Sequence, residues 1–155
     1  MLWKILYKTL TIYMNYNQSI LQHLINKTIH QTDPVGSCAT FANEEKVLFT
    51  AFNIPHETLI TDWDNHCELQ VVEHMVKYNR PFDLYITMEP CDKCRKKLNY
   101  YAGKGVINKI YTTKIYSKRV TDTLLIKIEQ LDINIDKYME RLSGEIMFHF
   151  LAVAN

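Results

Sequence analysis

The sequence predicts an α/β protein with a five-stranded mixed sheet, and three observations predict this class. Short apolar runs typical of strands alternate with longer amphipathic runs typical of helices, in the order α-β-β-α-β-α-β-α-β-α. Only four glycines and four prolines punctuate the 155 residues, so the runs are rarely interrupted. A helical run separates the last two strands, which predicts that these strands pair in parallel.

The first half of the chain predicts a helix, a hairpin and a second helix. Residues 17–31 carry apolar side chains at helical spacing, with Asn17 or Ser19 as the cap. Residues 34–53 predict two strands around a polar turn. A loop rich in turn formers then leads to a helix that begins near Asn65 and stops before a proline.

The second half continues the alternation of strands and helices. Its first strand is followed by a helix that Pro90 opens, because proline suits the first turn of a helix, and that glycines close. A strand, a helix, a strand and a final helix interrupted near Gly144 complete the order. The predicted ranges are 83–88 and 107–113 for the first two strands, 121–131 for the helix, 133–138 for the last strand and 139–154 for the final helix.

Length and composition are those of one ordinary globular domain. The chain is long enough to bury a core, and 47% apolar and 23% charged residues are usual for this class. We divide it into an N-terminal extension over residues 1–18 and a domain over residues 19–155. Residues 1–14 are apolar, but they are too few to span a membrane and include Lys4 and Lys8, so no membrane contact is expected.

The four cysteines do not suggest a disulfide framework. Two of them have C-x-x-C spacing, and no secretory signal is recognisable in the sequence. This cysteine usage favours a reducing compartment, because disulfides persist mainly in oxidising surroundings. We therefore expect a protein of the cytoplasm, or of the nucleus, that is not secreted.

Two helix starts carry residue types that bind zinc. His66 and Glu68 lie at the start of the second helix. Cys91 and Cys94 lie in the first turn of the third helix, where their i, i+3 spacing points both sulfurs to one face. The start of a helix favours the thiolate form that a metal needs. A strand–helix crossover brings two such starts to one edge of a sheet, and one imidazole with two thiolates leaves the fourth zinc position open to water.

Glu68 is placed to act beside that water. A carboxylate next to a zinc-activated water can take its proton and pass it to a leaving group. A redox role for the C-x-x-C pair would leave His66 and Glu68 idle, and a structural zinc would need a fourth ligand, for which only Cys38 remains. We therefore predict one catalytic zinc per chain, held by His66 and the two C-x-x-C cysteines.

The order H-x-E followed by P-C-x-x-C is the signature of zinc-dependent nucleobase deaminases. Over roughly residues 19–151 the chain resembles this cytidine deaminase-like superfamily, in its CMP/dCMP-type, tRNA adenosine deaminase and AID/APOBEC-like branches. "DPVGSCATFANEEKVLFTAFN" is similar to the hairpin before the histidine, "TMEPCDKC" to the strand-to-helix junction and "GVINKIYTTKIYSKRV" to a later strand and loop. The resemblance implies a three-layer α-β-α cytidine deaminase-like fold and a catalytic domain over residues 19–155.

The resemblance also implies roles for individual residues. Glu68 would shuttle protons, and Asn53, at the end of the second hairpin strand, would hydrogen-bond the base or sugar. The backbone around Cys67, where the family has alanine, valine or proline, would line the base pocket. The zinc ligands would be His66, Cys91 and Cys94.

The segment 91–119 is strongly basic, with nine lysines and arginines against the single acid Asp92. Most of these side chains are expected on a solvated helix face or a strand edge. In the related branches the loop "TTKIYSKR" contacts nucleotides beside the target base. This implies phosphate contacts for Lys114 and Arg119 and base stacking for Tyr116, whose structural alternative is a packed tyrosine.

The implied reaction is hydrolytic deamination, in which zinc-bound hydroxide attacks C4 of cytosine or C6 of adenine and Glu68 carries the protons. The base would belong to a nucleoside, a nucleotide or a single-stranded nucleic acid that presents it unstacked. Two alternatives stay open: a catalytically inactive zinc-binding interaction module, and a toxin-type deaminase, which the short stretch between His66 and Cys91 resembles. Family members often form homo-oligomers, and nothing in the sequence fixes an interface.

Overall fold

The computed structural model of the protein describes residues 15–54, 66–116, 124–144 and 152–153. Within these ranges the chain forms four α-helices and seven β-strands. The helices are α1 (Tyr16–Thr28), α2 (Cys67–Met75), α3 (Asp92–Gly103) and α4 (Asp136–Ser143), and a 3-10 turn, Val76–Tyr78, extends α2. The strands are β1 (Gly36–Phe41), β2 (Val47–Phe52), β3 (Phe82–Ile86), β4 (Ile107–Thr112), β5 (Ile115–Tyr116), β6 (Ile128–Gln130) and β7 (Ala152–Val153).

Five strands form one mixed sheet in the order β2-β1-β3-β4-β6. β1 pairs antiparallel with β2 and with β3, whereas β4 pairs in parallel with both β3 and β6. The register of the last pair places Ile110 opposite Ile128 and Thr112 opposite Gln130. The predicted five-stranded mixed sheet with a parallel last pair is therefore confirmed. β5 and β7 form a separate antiparallel pair.

Helix α1 covers one face of the sheet. Its Leu21 and Leu24 are buried against residues of three neighbouring strands, namely Cys38, Tyr85 and Tyr111. The rings of the two tyrosines stack with their centroids 5.0 Å apart, which adds a specific aromatic contact to the burial of apolar surface. This layer holds α1 across the middle strands of the sheet.

Helices α2 and α3 cover the opposite face. Their fully buried residues include Val71, Val72 and Met75 of α2 and Leu98 of α3. These pack in one apolar cluster with strand residues that include Ala39, Ala51, Leu84, Ile86 and Ile110. Burying each large side chain contributes roughly 1.5–3 kcal/mol relative to exposure. Together with α1 on the other face, this gives the predicted three-layer α-β-α fold.

Two predictions for the C-terminal part are wrong. In the described part of the helix predicted at 121–131, residues 124–127 are not helical and Ile128–Gln130 form β6. Apolar residues 126 and 128 alternate with polar neighbours, which suits a strand beside β4 better than a helix. The strand predicted at 133–138 is also wrong, because α4 begins at Asp136 and buries Tyr138 and Leu142, four residues apart, on one face.

The predicted final helix over residues 139–154 is correct only in part. Helix α4 does extend through residue 143, but Ala152 and Val153 lie in a strand that pairs with β5. A two-residue strand depends on its neighbour for stability, so its own sequence gives little signal.

The first helix begins two or four residues earlier than predicted, depending on which of the two predicted caps is taken. Asn15 caps it, in place of the predicted Asn17 or Ser19. The boundary that we drew between residues 18 and 19 falls inside this helix, and the division into extension and domain stays a prediction. Residues 1–14 lie outside the described part of the chain. None of the helices in the described ranges is long and apolar enough to cross a membrane.

Candidate metal centre

The site forms where α2 and α3 begin. Strand β3 ends at Ile86, and a short connection leads to Cys91, the residue immediately before α3. His66 has the same position before α2. Both residues have extended backbones, and neither side chain caps its own helix. Two helix N-termini, each with a partial positive charge, therefore meet at the place where these side chains project.

The three predicted metal ligands lie together at this place. Nδ1 of His66 is 3.1 Å from Sγ of Cys94 and 3.7 Å from Sγ of Cys91. The three ligand atoms all lie within 4.8 Å of one another. Cys94 is fully buried, whereas the other two residues are partly accessible. The topology thus brings two sequence motifs that are far apart in the chain to one point.

The distances and the donor atoms both suit zinc. With Zn–N of about 2.0–2.1 Å and Zn–S of about 2.3 Å, a tetrahedral ion separates nitrogen from sulfur by roughly 3.5 Å. The two observed separations, 3.1 and 3.7 Å, lie on either side of that value. One imidazole nitrogen and two cysteine sulfurs are also donors that zinc prefers. The residues fit the ion and leave one of its four positions open.

Glu68 lies beside the three ligands. Its Oε1 is 3.9 Å from Nδ1 of His66, and its Oε2 accepts a hydrogen bond from Sγ of Cys67 at 3.3 Å. Only 4% of its side chain is exposed. A carboxylate buried to this degree is costly unless a nearby charge balances it, and here His66 is that neighbour. The structure therefore places Glu68 where it can act on a group held at the metal position.

Protons are distributed unevenly over this cluster. A hydrogen bond from Cys94 lowers the pKa of Cys91 to about 4, against the opposing effect of burial. Hydrogen bonds to Cys91 and Glu68 raise the pKa of His66 to about 10. The Cys91 thiolate and burial raise the pKa of Cys94 far above its ordinary value. Burial alone would raise the pKa of Glu68, but His66 holds it below its ordinary value. A metal therefore competes with protons at this site.

Asn53 connects the hairpin to α2. Its Oδ1 accepts a hydrogen bond from the backbone N–H of Cys67 at 2.8 Å, and its Nδ2 donates to Oδ2 of Asp33 at 3.4 Å. The first bond satisfies one of the N–H groups that a helix leaves without a partner at its start. Gln70 adds a second tie by donating to the carbonyl of Phe52 at 3.2 Å. Asn53 thus holds the start of α2, and its contact with a base or sugar stays a prediction.

The remaining predicted substrate contacts are Cys67, which lies within the site and donates to Glu68, and Lys114, Tyr116 and Arg119, which follow β4 in the chain. Cys67 is fully buried at the first position of α2. Nζ of Lys114 lies 3.5 Å from Oδ1 of Asp132 in an exposed ion pair, which is weak enough for the lysine to exchange its partner. Tyr116 belongs to β5. Arg119 lies outside the described residues. Substrate binding by these residues stays a prediction.

Arg95 is a residue of the site that our sequence analysis did not single out. It follows Cys94 and is 6% exposed, although it belongs to a basic run. Its Nε donates to the carbonyl oxygen of Pro90 at 2.9 Å, and its Nη2 donates to Oε2 of Glu89 at 3.0 Å. Gln130 of β6 donates to the other carboxylate oxygen of Glu89 at 3.4 Å. Arg95 therefore fixes the connection that carries Cys91 into position.

A buried polar group beneath this connection was also missed. Oγ1 of Thr87 accepts from the backbone N–H of Gly36 at 3.2 Å and lies 2.8 Å from the hydroxyl of Tyr138. That hydroxyl also donates to the carbonyl of Pro34 at 2.6 Å, so α4 is tied to the ends of two strands. Thr113 completes the set by donating to the carbonyl of Thr87 at 2.7 Å. No local sequence signal marks these partners, because they come from distant segments.

A family comparison gives this arrangement its context. A model of the cytidine and deoxycytidylate deaminase zinc-binding region matches residues 14–110, which is more than half of the chain. The protein belongs to this family. The matched region includes Glu68 and all three candidate metal ligands, and it ends before Lys114, Tyr116 and Arg119. As a member of a zinc-binding deaminase family, the chain has zinc as its cofactor, and His66, Cys91 and Cys94 form a potential site for it.

Two solved structures resemble this member of the deaminase family. One comes from a study of A-to-I editing by tRNA:A34 deaminases at the wobble position of transfer RNA. Its sequence is 16% identical, the TM-score is 0.49, and the match covers 88% of this chain and 96% of that chain. The other is the apo dCMP deaminase of the cyanophage S-TIM5, 17% identical, with a TM-score of 0.48, over 73% of this chain and 98% of that chain. Curated protein sequences give no significant match.

Proposed function

We propose that the protein is a zinc-dependent hydrolytic deaminase that converts an amino nucleobase into the corresponding keto base and releases ammonia. One observation carries the proposal: His66, Cys91 and Cys94 converge on one point, and the buried carboxylate of Glu68 lies 3.9 Å from the imidazole. Hydrolysis of a C–NH₂ bond needs an activated water and a group that moves protons. The cluster offers a place for the first and supplies the second.

Zinc would be held by His66, Cys91 and Cys94. When bound, it lowers the pKa of a coordinated water to about 7 and so supplies a nucleophile at neutral pH. The chain prepares the place for it, because helix N-termini stabilise the negative charge that both cysteines carry once a metal has replaced their protons. Arg95 holds the Glu89–Pro90 connection rigid through its bonds to Pro90 and Glu89, so the two sulfurs keep their separation.

Glu68 would be the proton carrier. The hydrogen bond from Cys67 orients one carboxylate oxygen and leaves the other on the side of His66. The carboxylate can accept a proton from the attacking water and deliver protons to the ring nitrogen and to the departing amino group. The oxygen of the water then stays on the ring, and ammonia leaves. The low exposure of Glu68 keeps bulk water away from these transfers.

Substrate contacts would come from the residues around the cluster. The 3.4 Å bond from the Asn53 amide to Asp33 is long, so a base or sugar can compete for that amide. The backbone around Cys67 would line the base pocket. We propose Lys114 and Arg119 as phosphate contacts and Tyr116 as a stacking surface, in keeping with the basic loop that contains them.

The family description names cytidine and deoxycytidylate, so we propose cytosine as the first base to test and adenine as the second. The base would be presented in a nucleoside, a nucleotide or a single-stranded nucleic acid, because a pocket of this kind accepts only an unstacked base. An inactive zinc-binding module has no use for Glu68. Keeping a carboxylate 4% exposed beside the metal position would then only cost stability.

The test is ammonia release by the purified, zinc-loaded protein. Cytosine and adenine would be offered as nucleosides, nucleotides, single-stranded DNA and tRNA, and the converted base would be identified by chromatography or sequencing. Glu68→Gln is the matched control, because glutamine keeps the size of the side chain but cannot carry the proton. We expect it to keep zinc and to lose about 10²- to 10⁴-fold in turnover. A fully active variant, or a zinc-loaded wild type that converts none of the substrates, would contradict the proposal.

A further inference from the structure

Helix α3 presents a line of exposed side chains that are mostly basic. At 3.6 residues per turn, Lys93, Lys97, Tyr100 and Lys104 fall within about 60° of one another around the helix axis. All four are exposed, and Lys96 is exposed on the flank of the line. The opposite face of the helix carries the buried residues Cys94, Arg95 and Leu98. We call Lys93, Lys97, Tyr100 and Lys104 the α3 stripe.

The α3 stripe begins at the candidate metal centre. Lys93 lies between the two cysteines of the C-x-x-C motif, in the first turn of the helix. Lys104 lies eleven residues later, which corresponds to about 17 Å along the helix axis at 1.5 Å per residue. The stripe therefore leads from the site along the whole outer surface of the helix.

The positive charge at the start of the stripe does not suit the macrodipole of the helix. Basic residues stabilise the C-terminal end of a helix and destabilise the N-terminal end, where the macrodipole is positive. Lys93, Lys96 and Lys97 all lie in the first two turns of α3. Lys93 and Lys97 also repel each other at their i, i+4 spacing. Residues that break a local rule in this way are expected to have a functional use.

Tyr100 adds an aromatic surface to the line of charges. Its side chain is 56% exposed, and the ammonium group of Lys104 lies 4.5 Å from the centre of its ring. Cations that can neutralise phosphates, combined with an exposed ring on which a base can stack, are the features of surfaces that bind single-stranded nucleic acids.

We propose that the α3 stripe binds a single-stranded nucleic acid, with its phosphates on the lysines and one base on Tyr100. The proposal rests on the proposed function for the identity of the base that enters the metal centre, whereas binding itself requires no turnover. A surface about 17 Å long exceeds what a mononucleotide can contact, so it selects a polynucleotide. An anionic membrane suits α3 less well, because a membrane-binding helix exposes a broad apolar face and the apolar side chains of α3 are turned into the core.

The test compares two triple variants with the same change in net charge. In the first, Lys93, Lys97 and Lys104 are each changed to Glu. In the control, Lys27, Lys46 and Lys77, which are exposed and belong to other elements than α3, are each changed to Glu. Fluorescence anisotropy would measure binding of labelled single-stranded RNA and DNA over a series of salt concentrations. Vesicles containing phosphatidylserine would be the membrane arm, and ammonia release from a free mononucleotide would be measured in parallel.

We expect the stripe variant to bind nucleic acid at least about tenfold more weakly at low salt. The slope of log K, the binding constant, against log salt concentration should become shallower by about 2, because three phosphate contacts on a single strand are lost. The control variant should bind like the wild type. Equal losses in both variants, no binding by the wild type, or binding to vesicles alone would overturn the proposal. Failure of ammonia release while stripe-dependent binding persists would contradict the proposed function and leave the stripe established.

Discussion

Helix α1 and the pair α2 and α3 begin in different ways. Asn15 caps α1 by accepting from the N–H of Gln18 at 2.9 Å, and the Gln18 side chain accepts from the N–H of Asn15 at 3.1 Å. Helices α2 and α3 are preceded by His66 and Cys91, whose side chains make no capping hydrogen bond. A side-chain cap contributes about 1 kcal/mol, so two of these helices begin without an interaction that the third has.

The difference shows what the two uncapped starts are used for. His66 and Cys91 direct their side chains at each other's motif, so they are unable to serve the N–H groups of their own helices. Helix α2 receives a replacement from outside, because Asn53 accepts from the N–H of Cys67. Capping residues at these positions would favour the helices, whereas the residues present favour a metal.

The largest effect is expected from Cys91→Ser, which converts the start of α3 into an ordinary cap. Serine is a preferred capping residue and a poor zinc ligand. Zinc affinity should fall by more than about hundredfold, and the metal-free variant should lose no stability. Competition with a chromogenic chelator and chemical unfolding would measure the two quantities. Cys38→Ser is the control, because it should lose stability through a buried hydroxyl and keep its zinc affinity. Undiminished zinc binding by Cys91→Ser would rule out Cys91 as a zinc ligand.

The next largest effect is expected from Arg95→Met, which removes the support of Cys91 while preserving side-chain length. Glu89 would lose a nearly buried partner, at a cost of about 2–3 kcal/mol in unfolding free energy, and zinc affinity should fall about tenfold. Arg80→Met is the matched control. The ion pair of Arg80 with Glu44 is about half exposed at both ends and should contribute less than about 1 kcal/mol. Equal effects of the two changes would remove the proposed supporting role.

A smaller effect is expected from Asn53→Ala, which removes the acceptor at the start of α2. The unfolding free energy should fall by about 1–2 kcal/mol. Asn53→Asp should restore it only in part, because the aspartate keeps the accepting oxygen but faces the carboxylate of Asp33, to which the Asn53 amide donates at 3.4 Å. Urea unfolding would measure both variants. A higher KM with unchanged stability would instead assign Asn53 to the substrate alone.

The smallest effect is expected from Asn15→Ala at the ordinary start. We expect a loss of about 1 kcal/mol in unfolding free energy with unchanged zinc affinity, because the change removes a cap far from the metal ligands in sequence and in function. Circular dichroism during urea unfolding and the chelator competition used above would show both results. Weaker zinc binding by Asn15→Ala would mean that α1 and the metal centre are coupled.

The metal centre was predictable because its parts are local. A histidine with a glutamate two residues on, and two cysteines three residues apart after Pro90, keep their local geometry although α2 and α3 begin about two residues later than predicted, at Cys67 and Asp92. The strand–helix crossover then brings the two helix starts, and with them the ligands, to one edge of the sheet. Arg95 was not predictable in this way, since in "CDKCRKK" it looks like its solvated lysine neighbours. Only the packing of residue 95 against Glu89 distinguishes it.

The C-terminal elements were mispredicted for a different reason. Ile133 and Ile135 alternate with polar residues as in a strand, whereas Leu142, the helical partner of Tyr138, lies beyond the predicted range 133–138. The depth of burial of Tyr138 depends on Thr87 and Pro34, which belong to other segments. Similarly, β6 has three residues, and its conformation comes from pairing with β4.

His66 and Cys91 are 25 residues apart in the sequence, and the segment between them includes α2 and the central strand of the sheet, β3. An ion bound by both residues would cross-link the two ends of this segment reversibly. Since a ligand that binds only the folded chain raises its stability by about 4 kcal/mol at a thousandfold excess over Kd, the melting temperature should rise with the supply of free zinc. Removal of the zinc by a chelator should then destabilise α2 and β3 before the edge strands β2 and β6.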